Sequence, residues 1–367
     1  MELATVLSAL EPIGPGGPGH AAVAAGLAVV FAWTLDALFG EPPNAWHPVA
    51  WLGRLLEAIG ARLVQWPPAA ACAGGALAWL LLAAALGGAA ARVQHLLAEA
   101  SGGWPWLAVL VTGLLLKPCF AWRMLRDEVA AVEDALADGL QAGRARAGRL
   151  ASRDVSGLDA HAVRETAIET LAENLNDSLV APLFWFAVAG LPGAVVYRFA
   201  NTADAMWGYR GRWEWAGKWA AHADDLLSWL PARMTALLLA PGWVLGAYRR
   251  LRAEAARTPS PNGGWPMAAM ALQLGVRLRK PGVYALNADA ALAERHHHAQ
   301  ALRLATRAAW MTAGLAAVSA AMSAAAMSAA IPAAIPAAMP AAIAAGIATP
   351  STTPAAAARP AVTGAAP

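Results

Sequence analysis

The sequence predicts an all-α fold, a polytopic integral membrane helical bundle with polar helical loops and a disordered Ala/Pro-rich C-terminal tail. Three observations predict it. Hydrophobic residues make up 58% of the 367, above the ~45–50% apolar content of soluble domains, and the mean hydropathy is +0.45. Apolar runs recur at about 22–39, 72–91, 104–120, 179–197, 234–248 and 308–328, several of them near the ~20 residues a spanning helix needs. Seventeen Trp residues match the aromatic belts of membrane proteins, whose amphipathic rings favour the headgroup region.

The elements follow in order. Residues 1–20 are Gly/Pro-rich and read as a mobile N-terminus without the basic n-region of a cleaved signal, so the first span is expected to stay as an anchor. That span ends in DALFGEPPNAWHP, where Gly40, Pro42 and Pro43 force a turn. Cys72 and Cys119 both fall in apolar runs and read as filler. Residues 125–140 form an amphipathic helix, with Leu125, Val129, Val132, Leu136 and Leu140 on one stripe and Asp127, Glu128, Glu133, Asp134 and Asp138 expected to be solvated. The Arg144, Arg146, Arg149, Arg153 cluster reads as an orientation-setting, solvated run, with a phosphate role for Arg153 as the minority alternative.

Ser156 and Asp159 compete to cap the next helix. That helix is two-sided: Ile168, Leu171, Leu175 and Leu179 are apolar, while Glu169, Glu173 and Asp177 follow at steps of four and share the other face. Pro182, Gly190, Pro192 and Gly193 mark 179–197 as broken or re-entrant, and Pro241 and Gly242 interrupt 234–248. Residues 207–229, with five Trp, are expected at the membrane interface. The run His296-His297-His298 is expected in a solvated loop. Prolines four apart at Pro332, Pro336 and Pro340 exclude a stable helix, so 331–367 reads as a low-complexity tail. The organisation is thus a mobile 1–20, a membrane-embedded 21–330, and the tail.

Lys and Arg number two in 40–67, seven in 123–178 and ten in 249–307, but one in 92–103 and three in 201–228. The positive-inside rule places the first three segments in the cytoplasm. Strict alternation would put 201–228 outside. A net charge of +3 identifies no partner, and nothing points to nucleic acid.

Only 14% of residues are charged, so four polar islands stand out: 36–51, 153–182, 201–233 and 260–279. No Lys or Arg lies three or four residues from Glu169 or Glu173. Like charges at that spacing repel, so the stripe calls for an external cation. Ionisable groups at membrane depth cost roughly 2.5–3.5 kcal/mol each and mark function where they are buried. The third island offers Asn201, Asp204, Arg210, Asp224, Asp225 and Arg233, the fourth Ser260 and Asn262, and the first His47 as a base or a turn residue. There is no GxxxxGK[ST], GxGxxG, HExxH or CxxC. A nucleotide would therefore be held by carboxylates and amides through Mg²⁺, with Arg on phosphate oxygens.

These islands, in this order, resemble the CobD/CbiB family, the adenosylcobinamide-phosphate synthases of cobalamin biosynthesis. The resemblance rests on DALFGEPPNAWHPVAWLGRLL, SRDVSGLDAHAVRETAIETLAENLNDSLVAPLFW, NTADAMWGYR, DDLLSWLPARMTALLL and SPNGGWPMAAMALQLGVRL, spanning about residues 28 to 290. The sequence departs from the family pattern at Glu41, Ser178 and His222. The resemblance implies an inner-membrane ligase with a cytoplasmic active site. It would join the free propionate of adenosylcobyric acid to 1-amino-2-propanol or its O-phosphate, driven by ATP and Mg²⁺. A carboxylate is a poor electrophile and must first become an acyl phosphate or acyl adenylate. Under that reading Glu169, Glu173, Asp177, Asp154 and Arg153 are the catalytic candidates. Asn174, Asn201, Asp204, Arg210, Asn262 and His47 would bind substrate or phosphate, and Glu173, Asp177 and Asp204 would hold Mg²⁺. The lipid bilayer and other late cobalamin-assembly enzymes are the expected partners. A corrinoid scaffold and a corrinoid transporter are the alternatives.

Overall fold

A computed structural model describes residues 18–100, 105–151 and 153–330. Residues 1–17 and 331–367, which hold most of the expected mobile N-terminus and the expected tail, lie outside the described residues. Those before Ala329 belong to one folded unit; of the second unit, only Ala329 and Ala330 are described, as the end of the last helix.

The chain is helical almost throughout. Helices α1 (Pro18–Phe39), α2 (Pro48–Leu63), α3 (Pro68–Ala100) and α4 (Pro105–Leu116) lead into a 3₁₀ turn at Lys117–Cys119. Then come α5 (Trp122–Asp138), α6 (Leu140–Ala147), α7 (Ala160–Leu175), a π-helical turn at Asn176–Val180, and α8 (Ala181–Trp207). Helices α9 (Lys218–Leu239), α10 (Pro241–Gly246), α11 (Tyr248–Ala255) and α12 (Gly264–Leu274) precede a hairpin of β1 (Leu278–Lys280) and β2 (Tyr284–Leu286), and α13 (Arg295–Ala330) closes the unit. Helix α1 packs along α4, α3 along α8, and α9 along both α8 and α12. The expected apolar stripe, Ile168, Leu171 and Leu175 of α7 with Leu179 of the π turn, is fully buried.

Four stretches are long and apolar enough to cross a membrane, namely Pro68–Ala100, Trp106–Asp138, Ala160–Trp207 and Arg295–Ala325, with Val23–Phe39 shorter. The protein is a membrane protein. Two of the six expected runs are absorbed differently. The run at 234–248 is no span, because α9 ends at Leu239, Ala240 leaves helical geometry and Pro241 opens a new short helix. The run at 179–197 belongs to a 48-residue stretch with the acidic helix. At 1.5 Å per residue that is about 70 Å, more than twice the hydrocarbon core. The break anticipated there is real: Ala189 and Gly190 leave helical geometry, and the freed Leu191 N–H donates to Gln94 Oε1 at 2.8 Å.

Further corrections are local. Leu140 does not continue the α5 stripe, since Gly139 (φ 137°) separates it into α6. The acidic face of α5 is not simply solvated: Glu133 accepts two hydrogen bonds from Arg164 (2.7 and 2.8 Å) and Glu128 pairs with Arg146 at 2.9 Å. Arg144 and Arg153 likewise face inward, donating to Leu158 O and to Thr166. The three histidines start a helix, and His298 is buried with Nε2 3.1 Å from Val129 O. Trp207 is core, its indole N–H donating to Leu56 O, whereas Trp215, Trp219 and Trp229 are exposed as an interfacial segment requires.

Candidate active site

The acidic stripe is held by the protein itself at one end. Asp159 caps α7, accepting from Ala162 N–H at 2.8 Å, which settles the competition with Ser156. One turn on, Arg153 reaches back from the preceding loop to Glu169 (3.3 Å) and Thr166 (2.9 Å). Tyr284, from the hairpin, donates its phenol O–H to Glu169 Oε1 at 2.7 Å. Burial, and then the Glu169 charge, hold that phenol protonated well above the usual tyrosine range. The cation expected from outside is thus supplied, for Glu169, from 16 residues upstream. Below it, Glu165 is fully buried between Arg277 (3.1 Å) and Arg279 (3.2 Å). Arg279 Nε and Glu165 Oε2 lie within ion-pair distance without hydrogen-bond alignment.

Glu173 is different. It is half-buried, it has no ion pair or hydrogen bond among the described residues, and it senses Asp177, Glu169, Lys280 and Arg153 only at longer range. The next residue, Asn174, spends its amide on Thr170 O. Asp177 then falls in the π turn, a widened helical turn that recurs at functional sites. Asn176 stabilises that turn, donating to Asp177 Oδ1 at 2.7 Å and accepting from Thr235 at 3.1 Å. Asp177 lies within electrostatic range of Asp204, Asp224 and Arg198. Asn201 reaches Asp224 only at 3.5 Å.

The fourth island closes over the second. Asn262 donates to Asp225 O (2.6 Å) and accepts from Arg233 (2.8 Å), while Arg233 stacks between Trp229 and Trp265. This brings Gly263 against the stripe, where a Cβ would stand 3.0 Å from Glu173 Oε1. Asn262 is therefore committed to positioning the loop.

Asp224 carries a testable consequence. It lies outside the four membrane-length stretches, and burial, followed by the Asp177 and Asp204 charges, pushes its carboxyl well above the usual range. A raised folded-state pKa stabilises the fold fully below the ordinary carboxylate range and is lost as pH rises through the raised value. Asp224→Asn should raise the thermal midpoint of chelator-treated protein at neutral and alkaline pH and flatten its pH dependence. Parallel midpoint–pH curves for the two proteins would refute this.

Other candidates are placed apart. Asp154 is exposed, its carboxylate held below the usual range by the Ser156 N–H (2.9 Å). Arg210 is exposed in the loop after α8, and no described contact joins it to the carboxylates. His47 is the N-cap of α2: its Nδ1 accepts from Val49 N–H, and Nε2 sits 2.8 Å from Glu41, which pairs with Lys117 as Asp36 does. His47→Ala should cost about 1 kcal/mol of stability through the lost cap and change turnover by less than about threefold if its role is capping rather than base catalysis. Melting and initial-rate measurements separate the two.

Sequence reasoning missed Tyr284, Lys280 and Arg198. The first two ride on a hairpin whose signal was Pro281-Gly282 between two three-residue strands. Arg198, one turn before Asn201 and Thr202, is half-buried with Nε unpartnered among the described residues. No three His, Cys, Asp or Glu side chains among the described residues gather into a ready-made metal cage. Mg²⁺ commonly needs only one or two carboxylates plus substrate phosphates, and Asp177 and Asp204 fit that lesser demand.

A family model described as CobD/Cbib protein matches residues 29–311. A "Probable cobalamin biosynthesis protein CobD" from Methanothermobacter thermautotrophicus is 35% identical over 265 residues, covering 70% of this chain and 85% of the relative. The protein of the same description from Thermococcus kodakarensis is 40% identical over 260 residues (70% and 82%). A "Cobalamin biosynthesis protein CobD" from Chromobacterium violaceum is 42% identical over 255 residues (67% and 79%). No solved structure matches.

Proposed function

The chain belongs to the CobD/CbiB family of cobalamin-biosynthesis proteins, and from that membership we propose that it is an ATP-dependent amide ligase. It joins the free propionate of adenosylcobyric acid to 1-amino-2-propanol or its O-phosphate. The observation that carries this reading is Glu173, a half-buried carboxylate without a direct partner among the described residues, between the Arg153–Glu169 pair and the Asn262–Gly263 loop.

ATP with Mg²⁺ supplies, when bound, the phosphoryl chemistry that activates a carboxylate. Asp177 and Asp204 would hold the ion, beside Asp224. Arg153, already held by Thr166 and Glu169, offers a fixed guanidinium for anionic oxygens. Glu173 takes the proton from the substrate ammonium, freeing the lone pair that attacks the activated acyl carbon. The Gly263 loop over it limits water, which would otherwise hydrolyse the acyl group.

Purified protein given ATP, adenosylcobyric acid and either amine should form the amide with matching nucleotide consumption. Corrinoid binding without ATP use would instead indicate a scaffold, and uptake into liposomes without amide a transporter. The site is proposed to face the cytoplasm, which requires 201–228 on the same side as 153–182. Arg212→Cys, in a background lacking Cys72 and Cys119, should be labelled from the cytoplasmic side; labelling only from outside would break the single-site arrangement.

A further inference from the structure

Arg153 also lines a cavity of about 550 Å³. One wall is the first turn of α7, at Asp159 and Ala162, and the opposite wall is the hairpin, at Arg279, Lys280 and Val283. The hairpin turn is built for this. Pro281 takes the first central position, Gly282 the second with φ 74°, and Val283 N–H donates to Lys280 O at 2.9 Å, the form of a type II turn that a side chain at Gly282 would strain.

Cationic side chains cluster around this cavity. Glu165 is shared by Arg277 and Arg279, so one guanidinium is in surplus. Glu169 neutralises Arg153. The Lys280 ammonium makes no ion pair or hydrogen bond among the described residues, and Glu173 senses it only at longer range. The rim carboxylates are turned to backbone N–H groups, Asp154 to Ser156 and Asp159 to Ala162. Arg153 Nε is buried without a hydrogen-bond partner among the described residues, whereas Arg279 Nε lies 3.2 Å from Glu165 Oε2. Three cationic side chains, Arg153, Arg279 and Lys280, therefore line the cavity together with two rim carboxylates, at the N-terminal end of a 16-residue helix whose dipole also favours anions. A phosphate monoester carries about −1.5 to −2 at pH 7.

We propose that this cavity binds a phosphoryl group of a phosphorylated substrate, through Arg153, Arg279 and Lys280. The group is either the polyphosphate of the nucleotide or the ester phosphate of the amine. Only the identity of that substrate rests on the ligase reading; the charge argument does not.

Inorganic tripolyphosphate is the first probe, titrated calorimetrically into the detergent-solubilised full chain at low salt. Lys280→Gln should weaken its binding about tenfold, the loss of one charge-assisted contact, and Lys280→Arg should restore it. Non-hydrolysable ATP and O-phosphorylated aminopropanol are titrated next, and the one that weakens by the same factor owns the pocket. Equal tripolyphosphate affinity in wild type and Lys280→Gln, or no binding by wild type, overturns the proposal. Lys280-dependent tripolyphosphate binding with no affinity for either phosphorylated substrate keeps the pocket and sinks the ligase reading instead.

Discussion

Replacing Glu173 with Gln is expected to lower amide formation by about 10²–10⁴-fold, the range for losing a general base, while the protein still inserts and melts normally. The expectation follows from what surrounds this residue. Glu169 is engaged by Arg153 and Tyr284, and Asp177 Oδ1 accepts from Asn176 within the π turn. Glu173 alone of the three stripe carboxylates has no direct partner among the described residues, and Gly263 stands close enough that even a methyl group would crowd its oxygen. Gln keeps the shape and removes the basicity, so packing is unaffected. Raising the pH should partly restore the rate if Glu173 moves the proton, because free amine then forms without the side chain. Near-normal turnover of Glu173→Gln would remove it from the mechanism.

Arg153→Met should harm both folding and chemistry. Its guanidinium is the one cation in contact with Glu169 among the described residues, and the Glu169 side chain is 8% exposed. Removing one partner of a buried pair costs about 3–5 kcal/mol, which for a chain of this size lowers the melting midpoint by roughly 10 °C. The double variant Arg153→Met/Glu169→Gln removes the stranded charge and should recover most of that loss. It should not recover activity, because the anion-facing guanidinium is still missing. A double variant as active as the wild type would make Arg153 purely structural.

The sequence carried the helical face of α7 well and its surroundings poorly. Ile168, Leu171, Leu175 and Leu179 occupy the core because a step of three or four is a helical period that composition makes visible. The same logic placed Glu169, Glu173 and Asp177 in one row, yet the π turn at Asn176–Val180 interrupts that row and brings Asp177 within range of Asp204 and Asp224. Nothing in the residue types of NDSLV announces an extra residue per turn. The cation for Glu169 was equally hidden, because Arg153 lies 16 residues away and arrives by a loop, beyond any i,i+4 rule.

Islands three and four converge through Asn262, Asp225 and Arg233. Island one has its own cluster around Lys117, a residue that sequence reading took as part of an apolar run. The hairpin bearing Lys280 and Tyr284 went unread because two three-residue strands are too short for a period-two signal. Its Pro-Gly turn was the available mark.

The central claim is that this chain activates a corrinoid carboxylate at the expense of ATP. The most direct measurement uses adenosylcobyric acid labelled with ¹⁸O in its free propionate, incubated with the purified protein, ATP, Mg²⁺ and the amine. Activation transfers one carboxylate oxygen to the leaving group, so mass spectrometry should find one ¹⁸O in the released phosphate or AMP for each amide formed. Amide formation with all label left in corrinoid or water, or ATP hydrolysis that releases only unlabelled phosphate, would contradict the account.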